Sequence, residues 1–161
     1  MTLTAHAIVG AVLVSLVPEH PALGVSAAFA SHFLVDAIPH LDYKIFSASV
    51  HPNGGAPMKY DRALLLDAIR ICADGLIGMA LSFALFATRD TWLLIMIGAT
   101  AGILPDSLQF AYARLRKEPL ASLQRFHEWM HTRHHFREHQ VLGVVSQVMF
   151  VVAVAGVALY L

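Results

Sequence analysis

Charge is what this chain has least of. Asp, Glu, Lys and Arg make up 14% of its 161 residues, where soluble domains carry nearer a quarter. With 57% apolar residues and a mean hydropathy of +0.62, that shortage argues against an ordinary soluble surface and predicts an integral membrane protein. Cysteine is nearly absent too. Cys72 stands alone inside an apolar run, which excludes an intrachain disulfide and a cysteine-cluster metal site. A formal net charge of zero gives no reason to expect nucleic acid as a partner. The opening MTLTAHAIVGAVLVSLVPEHP lacks the basic start of a cleavable signal peptide and reads as a retained first span. There is no G-x-S-x-G elbow, no phosphate-binding loop and no convincing Ser–His–Asp set. The 47–61 stretch, with its prolines, Asn53 and Gly54-Gly55, predicts a connecting loop or lid.

What the chain does have is apolar runs and histidine. Five apolar segments lie at about 3–17, 22–38, 64–87, 92–113 and 140–161. At ~20 residues per crossing, the last three are long enough to span; the first two are short and predict a helical hairpin. The expected fold is therefore all-α: one integral membrane domain of about five transmembrane helices, plus an amphipathic interfacial helix near 119–136. Lys44, Lys59, Arg62, Arg114, Arg116, Lys117, Arg125, Arg133 and Arg137 fall in the loops 39–63 and 114–139, against Arg89 alone on the other side. The positive-inside rule makes the first side cytoplasmic, with the N-terminus inside and the C-terminus outside.

This topology sends most of the ionisable residues to one half of the membrane. His6, His32, Asp36, His40, Asp67, Asp74 and Asp106 all lie toward the cytoplasmic ends of their spans, and His127, His131, His134, His135 and His139 lie in the second cytoplasmic loop. A carboxylate in hydrocarbon is costly, so such residues face a cavity, a partner or a metal. The spacing of His32, Asp36 and His40 would put all three on one helical face. Imidazole with carboxylate suits Zn²⁺ best here, with Mn²⁺ or Fe²⁺ as alternatives. Pro39 ends the helix and would turn His40 and Asp42 back over the pocket.

Three further patterns bear on chemistry. Asp67 and Asp74 are two turns apart with Arg70 between them; they read either as a self-neutralising triad or as a base (Asp74) beside an anion holder (Arg70). In GILPDSLQF, 102–110, Pro105 frees the carbonyl of Ala101 next to Asp106, as is tolerated where backbone lines a cavity. His127-Glu128-x-x-His131 matches H-E-x-x-H, which on a helix offers two zinc ligands and a general base. Phe126, Trp129, Met130 and Phe136 equally fit a helix lying on the membrane surface.

The early TAHAIVG, then LVDAIPHLDY, then GILPDSLQF, then the late histidines resemble the bacterial inner-membrane metal-dependent hydrolases of the YdjM-like group. That group has an early His, a P-D-x-D-H-like segment and a later H-R-G-x-T-H-S-like segment. Here Pro39-His40-Leu41-Asp42 stands in the second of these places, and Thr132-Arg133-His134-His135 is no clean counterpart of the third. The resemblance implies His6, His40, Asp42 and Asp106 as metal residues.

The sequence thus yields three functional expectations. The first is a hydrolase at the cytoplasmic face acting on a lipid phosphate or ester. In it His6, His32, Asp36, His40 and Asp106 hold one or two divalent cations, Asp42 or Asp74 takes a proton, and Arg70 or Arg133 holds the head group. The second is a zinc peptidase built on His127, Glu128 and His131. The third is a metal or proton carrier, or a non-catalytic membrane subunit, for which Glu19, His20 and Asp90 are the far-side polar candidates. Expected partners are membrane lipid and further copies of the chain.

Overall fold

Six helices form among the described residues, and local signals set the first four. In the computed structural model, residues 1–42, 44–48, 58, 60–132, 136 and 139–160 are described. α1, Leu3–Leu16, starts at Thr2, whose hydroxyl accepts from the Ala5 N–H. α2, Pro21–Asp36, has proline in its first turn, where no N–H is needed. α3, Arg62–Phe86, is capped by the Asp61 carboxylate on the Ala63 N–H at 2.8 Å. α4, Trp92–Leu115, runs through Pro105 and ends at Arg116, in the left-handed conformation with φ 51°. α5 is Leu120–Met130 and α6 is Gln140–Tyr160. Among the described residues there is no strand, and the fold is all-α, as expected.

The bundle is arranged around α1. Ten of its fourteen residues are buried, and it packs against α2, α3, α4 and α6, while α5 lies against α4 and α2. Ala7, Ala11 and Val14 of α1 form one core cluster with Ile95 and Ala99 of α4. The α1–α4 crossing is close enough that backbones touch. A β-carbon on Gly102 would collide with the His6 carbonyl, and one on Gly10 with the Gly98 carbonyl. Gly98 and Gly102 form the small-x₃-small pattern that permits such an approach.

α3, α4 and α6 are long and apolar enough to cross a membrane, and they carry apolar side chains outward: Leu76, Ile77, Val148 and Val152 are all more than half exposed. α1 and α2, at 14 and 16 residues, span roughly 21 and 24 Å, short of a ~30 Å hydrocarbon core. The shortfall in the first two helices is the one the sequence predicts.

Side-chain brackets join these elements. Asp67 is buried under the 44–48 stretch, accepting from the N–H groups of Phe46 (2.8 Å) and Ser47 (2.9 Å). Asp74 accepts from the N–H of Thr4 at 3.2 Å and its hydroxyl at 2.7 Å, satisfying a donor that the first turn of α1 leaves open. Gln147, in the most apolar of the three long helices, accepts from the Thr2 N–H at 3.1 Å and donates to the Leu41 carbonyl at 3.0 Å.

Candidate metal centre

Asp36 is the hub. It is the last residue of α2 and is buried. Its Oδ2 lies 3.2 Å from His32 Nε2 and 3.0 Å from His127 Nε2. Its Oδ1 lies 3.1 Å from His6 Nε2 and 2.6 Å from the Met1 ammonium. His32 sits one turn earlier on α2, as its spacing requires. His127 comes from α5, whose buried side is just Gln124 and His127. Asp106 comes from α4, with Oδ1 3.5 Å from His32 Nε2. Among the described residues no Lys or Arg pairs with Asp36 or Asp106.

Two groups of donors are close enough to share an ion. His32, Asp36, Asp106 and His127 each offer one atom within 4.8 Å of the others, and so do Asp36, His40 and His131. The first group fits a small divalent cation. Its donor set, two imidazoles and two carboxylates, is one that zinc accepts. A tetrahedron with ~2.0–2.2 Å bonds has edges of roughly 3.3–3.6 Å. The measured edges are 3.2 and 3.0 Å from Asp36 to His32 and His127, 3.5 Å from His32 to Asp106, and 3.4 Å between the two imidazole nitrogens. His32 is also oriented as a ligand. Its Nδ1 donates to the Gly102 carbonyl at 2.8 Å, which leaves the Nε2 lone pair pointing into the group. Sequence reasoning singled out the Ala101 carbonyl beside Pro105; the carbonyl in use is that of Gly102, one residue on.

The second group is more open. α2 ends at Asp36, so His40 does not continue the helical face proposed for His32-x₃-Asp36-x₃-His40. It is held instead by the chain after Pro39, buried, with Nδ1 on the Ile38 carbonyl at 2.6 Å. Its Nε2 lies 3.7 Å from Asp36 Oδ1 and 2.6 Å from Asp42 Oδ1. His131 Nε2 lies 3.8 Å from Asp36 Oδ2 and 3.6 Å from Asp42 Oδ2. Asp42 also meets the Met1 ammonium, at 3.2 Å. Burial would raise the Asp42 carboxyl's pKa, but the bond to His40 and the nearby ammonium outweigh it and hold it well below the usual carboxylate value. The chain after α5 is strapped to this corner, with the Thr132 N–H on the Asp36 carbonyl at 2.8 Å and the Phe136 N–H on the His40 carbonyl at 3.3 Å.

The remaining candidates divide plainly. His6 touches the centre through Asp36 and stacks on His32, ring centroids 3.9 Å apart, but belongs to neither donor group; its Nδ1 is buried with no partner among the described residues. Asp67, Arg70 and Asp74 do not close into a triad. Asp67 serves the 44–48 backbone and Asp74 serves Thr4. Arg70 is exposed and lines a cleft of about 100 Å³ with Lys44, Ile45, Asp67 and Ile71. Arg133 lies outside the described residues, as do His134 and His135. In the H-E-x-x-H segment the two histidines go to different donor groups. α5 stops at Met130, His131 has extended backbone, and Glu128 is exposed, so the helical arrangement this motif needs is not formed. α5 is not purely a surface helix either: its polar His127 points inward while Trp129 is 75% exposed.

Sequence reasoning missed Gln109, whose side-chain amide lies 2.9 Å from Asp106 Oδ1 and 3.0 Å from His127 Nδ1. Its signal was available, one turn after Asp106 on the same face of α4. Gln147 was signalled as a polar residue in a strongly apolar helix. Compared with known protein families, curated proteins and solved structures, the chain matches none of them.

Proposed function

We propose that this chain is a membrane-embedded hydrolase, dependent on a divalent metal, that works at the cytoplasmic face on a lipid phosphate or ester. One observation carries the reading: His32, Asp36, Asp106 and His127, from three separate helices, bring a donor atom each to within 4.8 Å of one another. Groups so expensive to place in an apolar bundle are there to hold something. A bound divalent cation supplies Lewis acidity and lowers the pKa of a water toward neutrality. The donor set favours zinc, with manganese or iron next.

The protein's own residues supply the rest. Asp36, oriented by His6, is closed off from solvent, while the side chains of Asp42 and Asp106 keep 22% and 24% of their surface accessible. The centre therefore opens toward these two carboxylates, and Asp42, negatively charged and beside His40, is placed to take a proton. Arg70 and Lys44, on the cleft over Asp67, are suited to an anionic head group. The loop cations support a cytoplasmic side for this end of the bundle, and the YdjM-like resemblance supports a bacterial inner membrane, with five crossings in which α1 and α2 sit in a locally thinned bilayer or tilt against their neighbours. The resemblance to the YdjM-like hydrolases points the same way. The exposure of Glu128 weighs against the peptidase.

Metal analysis of detergent-purified protein after dialysis is the test. We expect at least one tightly held zinc, manganese or iron per chain, lost in His32→Ala and in Asp36→Ala, and metal-dependent release of head group from mixed lipid micelles. A wild-type protein with full helical content and no retained metal overturns the proposal.

A further inference from the structure

Asp36 faces two ways, and its second side has imidazoles of its own. Oδ2 is the oxygen nearest His32 and His127, and Oδ1 is the one that meets His40, at 3.7 Å. His40 is fully buried, its Nδ1 donates to the Ile38 carbonyl, and its Nε2 is turned toward two carboxylates, 3.7 Å from Asp36 and 2.6 Å from Asp42. Such contacts in a low-dielectric interior require positive charge at Nε2, supplied by a proton or by a bound cation. His131 repeats the pattern: Nδ1 is on the Thr132 carbonyl at 3.1 Å, and Nε2 is turned to Asp36 and Asp42. Positive charge is already drawn to this corner, since the Met1 ammonium lies against both carboxylates.

We infer that the centre is binuclear: a second divalent cation binds Asp36, His40 and His131, and the Asp36 carboxylate is shared between the two ions. This rests on the metal reading above and deepens it. Asp42, whose two oxygens face His40 and His131, stands beside the second site as the proton acceptor. A carboxylate bridging through its two oxygens suits ions ~3.5–4 Å apart, the separation used by two-metal hydrolases of phosphate esters. The second site is the looser one. Its contacts to Asp36 are 3.7 Å from His40 to Oδ1 and 3.8 Å from His131 to Oδ2, against 3.2 and 3.0 Å in the first, so its ion exchanges first.

The test uses Mn²⁺ and the full chain in detergent. After equilibrium dialysis against free Mn²⁺, elemental analysis is expected to find about two ions per chain, and electron paramagnetic resonance a spin-coupled pair. His40→Gln and His131→Gln are each expected to hold about one ion and give an isolated-ion spectrum. Because His40 is buried, helical content by circular dichroism accompanies each variant, and the more exposed His131 carries the comparison if His40→Gln does not fold. One uncoupled ion in the wild type, or two ions in folded His131→Gln, overturns the second site and leaves the single-metal reading standing. No bound Mn²⁺ in any form overturns both.

Discussion

Gln109 has no charge and no chemistry of its own, yet it stands between a carboxylate and an imidazole of the first donor group. Its amide nitrogen donates to Asp106 Oδ1 at 2.9 Å and faces His127 Nδ1 at 3.0 Å, so this side chain holds the Asp106 carboxylate in place at the donor group. Groups that orient ligands in this way are worth ~10–100-fold in metal affinity. Gln109→Ala is therefore expected to weaken the first ion by about that factor without touching the second group, as read by competition with a chromophoric chelator. Unchanged affinity would mean that Asp106 is oriented by packing alone. Asp36 and His32 could be chosen from sequence because spacing of four and the cost of burying them both pointed to them. Gln109 could not be ranked on those grounds, since an amide in a span is common and its value depends on a neighbour eighteen residues away.

At the scale of the element, the α1–α4 contact decides whether the centre forms. His6 leans on Asp36 from α1, and Gly102 of α4 both receives His32 and abuts the His6 carbonyl. A methyl group at Gly102 has backbone on the far side and no room to move. Gly102→Ala is expected to cost ~1–3 kcal/mol of stability, the usual range for overpacking, and to lower metal retention with it. Gly156→Ala in α6, where a β-carbon meets nothing within 4 Å, is the matched control and should melt at or slightly above the wild-type temperature. The boundaries of the five apolar helices were legible to within about two residues because apolar runs, prolines and capping residues are local signals, whereas the amphipathic helix expected over 119–136 stops at Met130. The roles of Asp74 and of the 127–131 pair were not legible. Two carboxylates on one face of α3 read as a pair, but each is captured by a different piece of backbone, Thr4 for one and 46–47 for the other. The H-E-x-x-H spacing presumes a continuing helix, and the strap from Thr132 to Asp36 ends it early.

The whole molecule turns an apolar perimeter outward and keeps its polar groups around one end of a central helix. Such a surface needs hydrocarbon around it. Cys72 reports on this directly. It is exposed on α3, ten residues into the helix, which is ~15 Å along the axis and near the middle of a bilayer. In membranes, opened or sealed, a charged maleimide is expected to leave Cys72 unmodified, while a neutral lipid-soluble one reacts and denaturation in detergent makes both react. Prompt labelling by the charged reagent in intact membranes would place α3 against water. The first α-helix shows how far composition can mislead here. It is apolar all round, as a lipid-facing span would be, yet it is the most enclosed helix of the six, because Gly10, Ala7 and Ala11 let its neighbours close over it.

The order of synthesis follows from the way the donor atoms are distributed. His127 trails Asp36 by 91 residues, so at ~5–20 residues per second a ribosome takes roughly 5–18 s to deliver it. During that interval Asp36, His32 and Asp106 must enter the bilayer without their last partner. On the proposed metal reading, loading is a late event in biogenesis: an ion arriving before α5 emerges meets a half-built cage and can leave again. A chain halted before residue 127 would insert its helices and still come away empty.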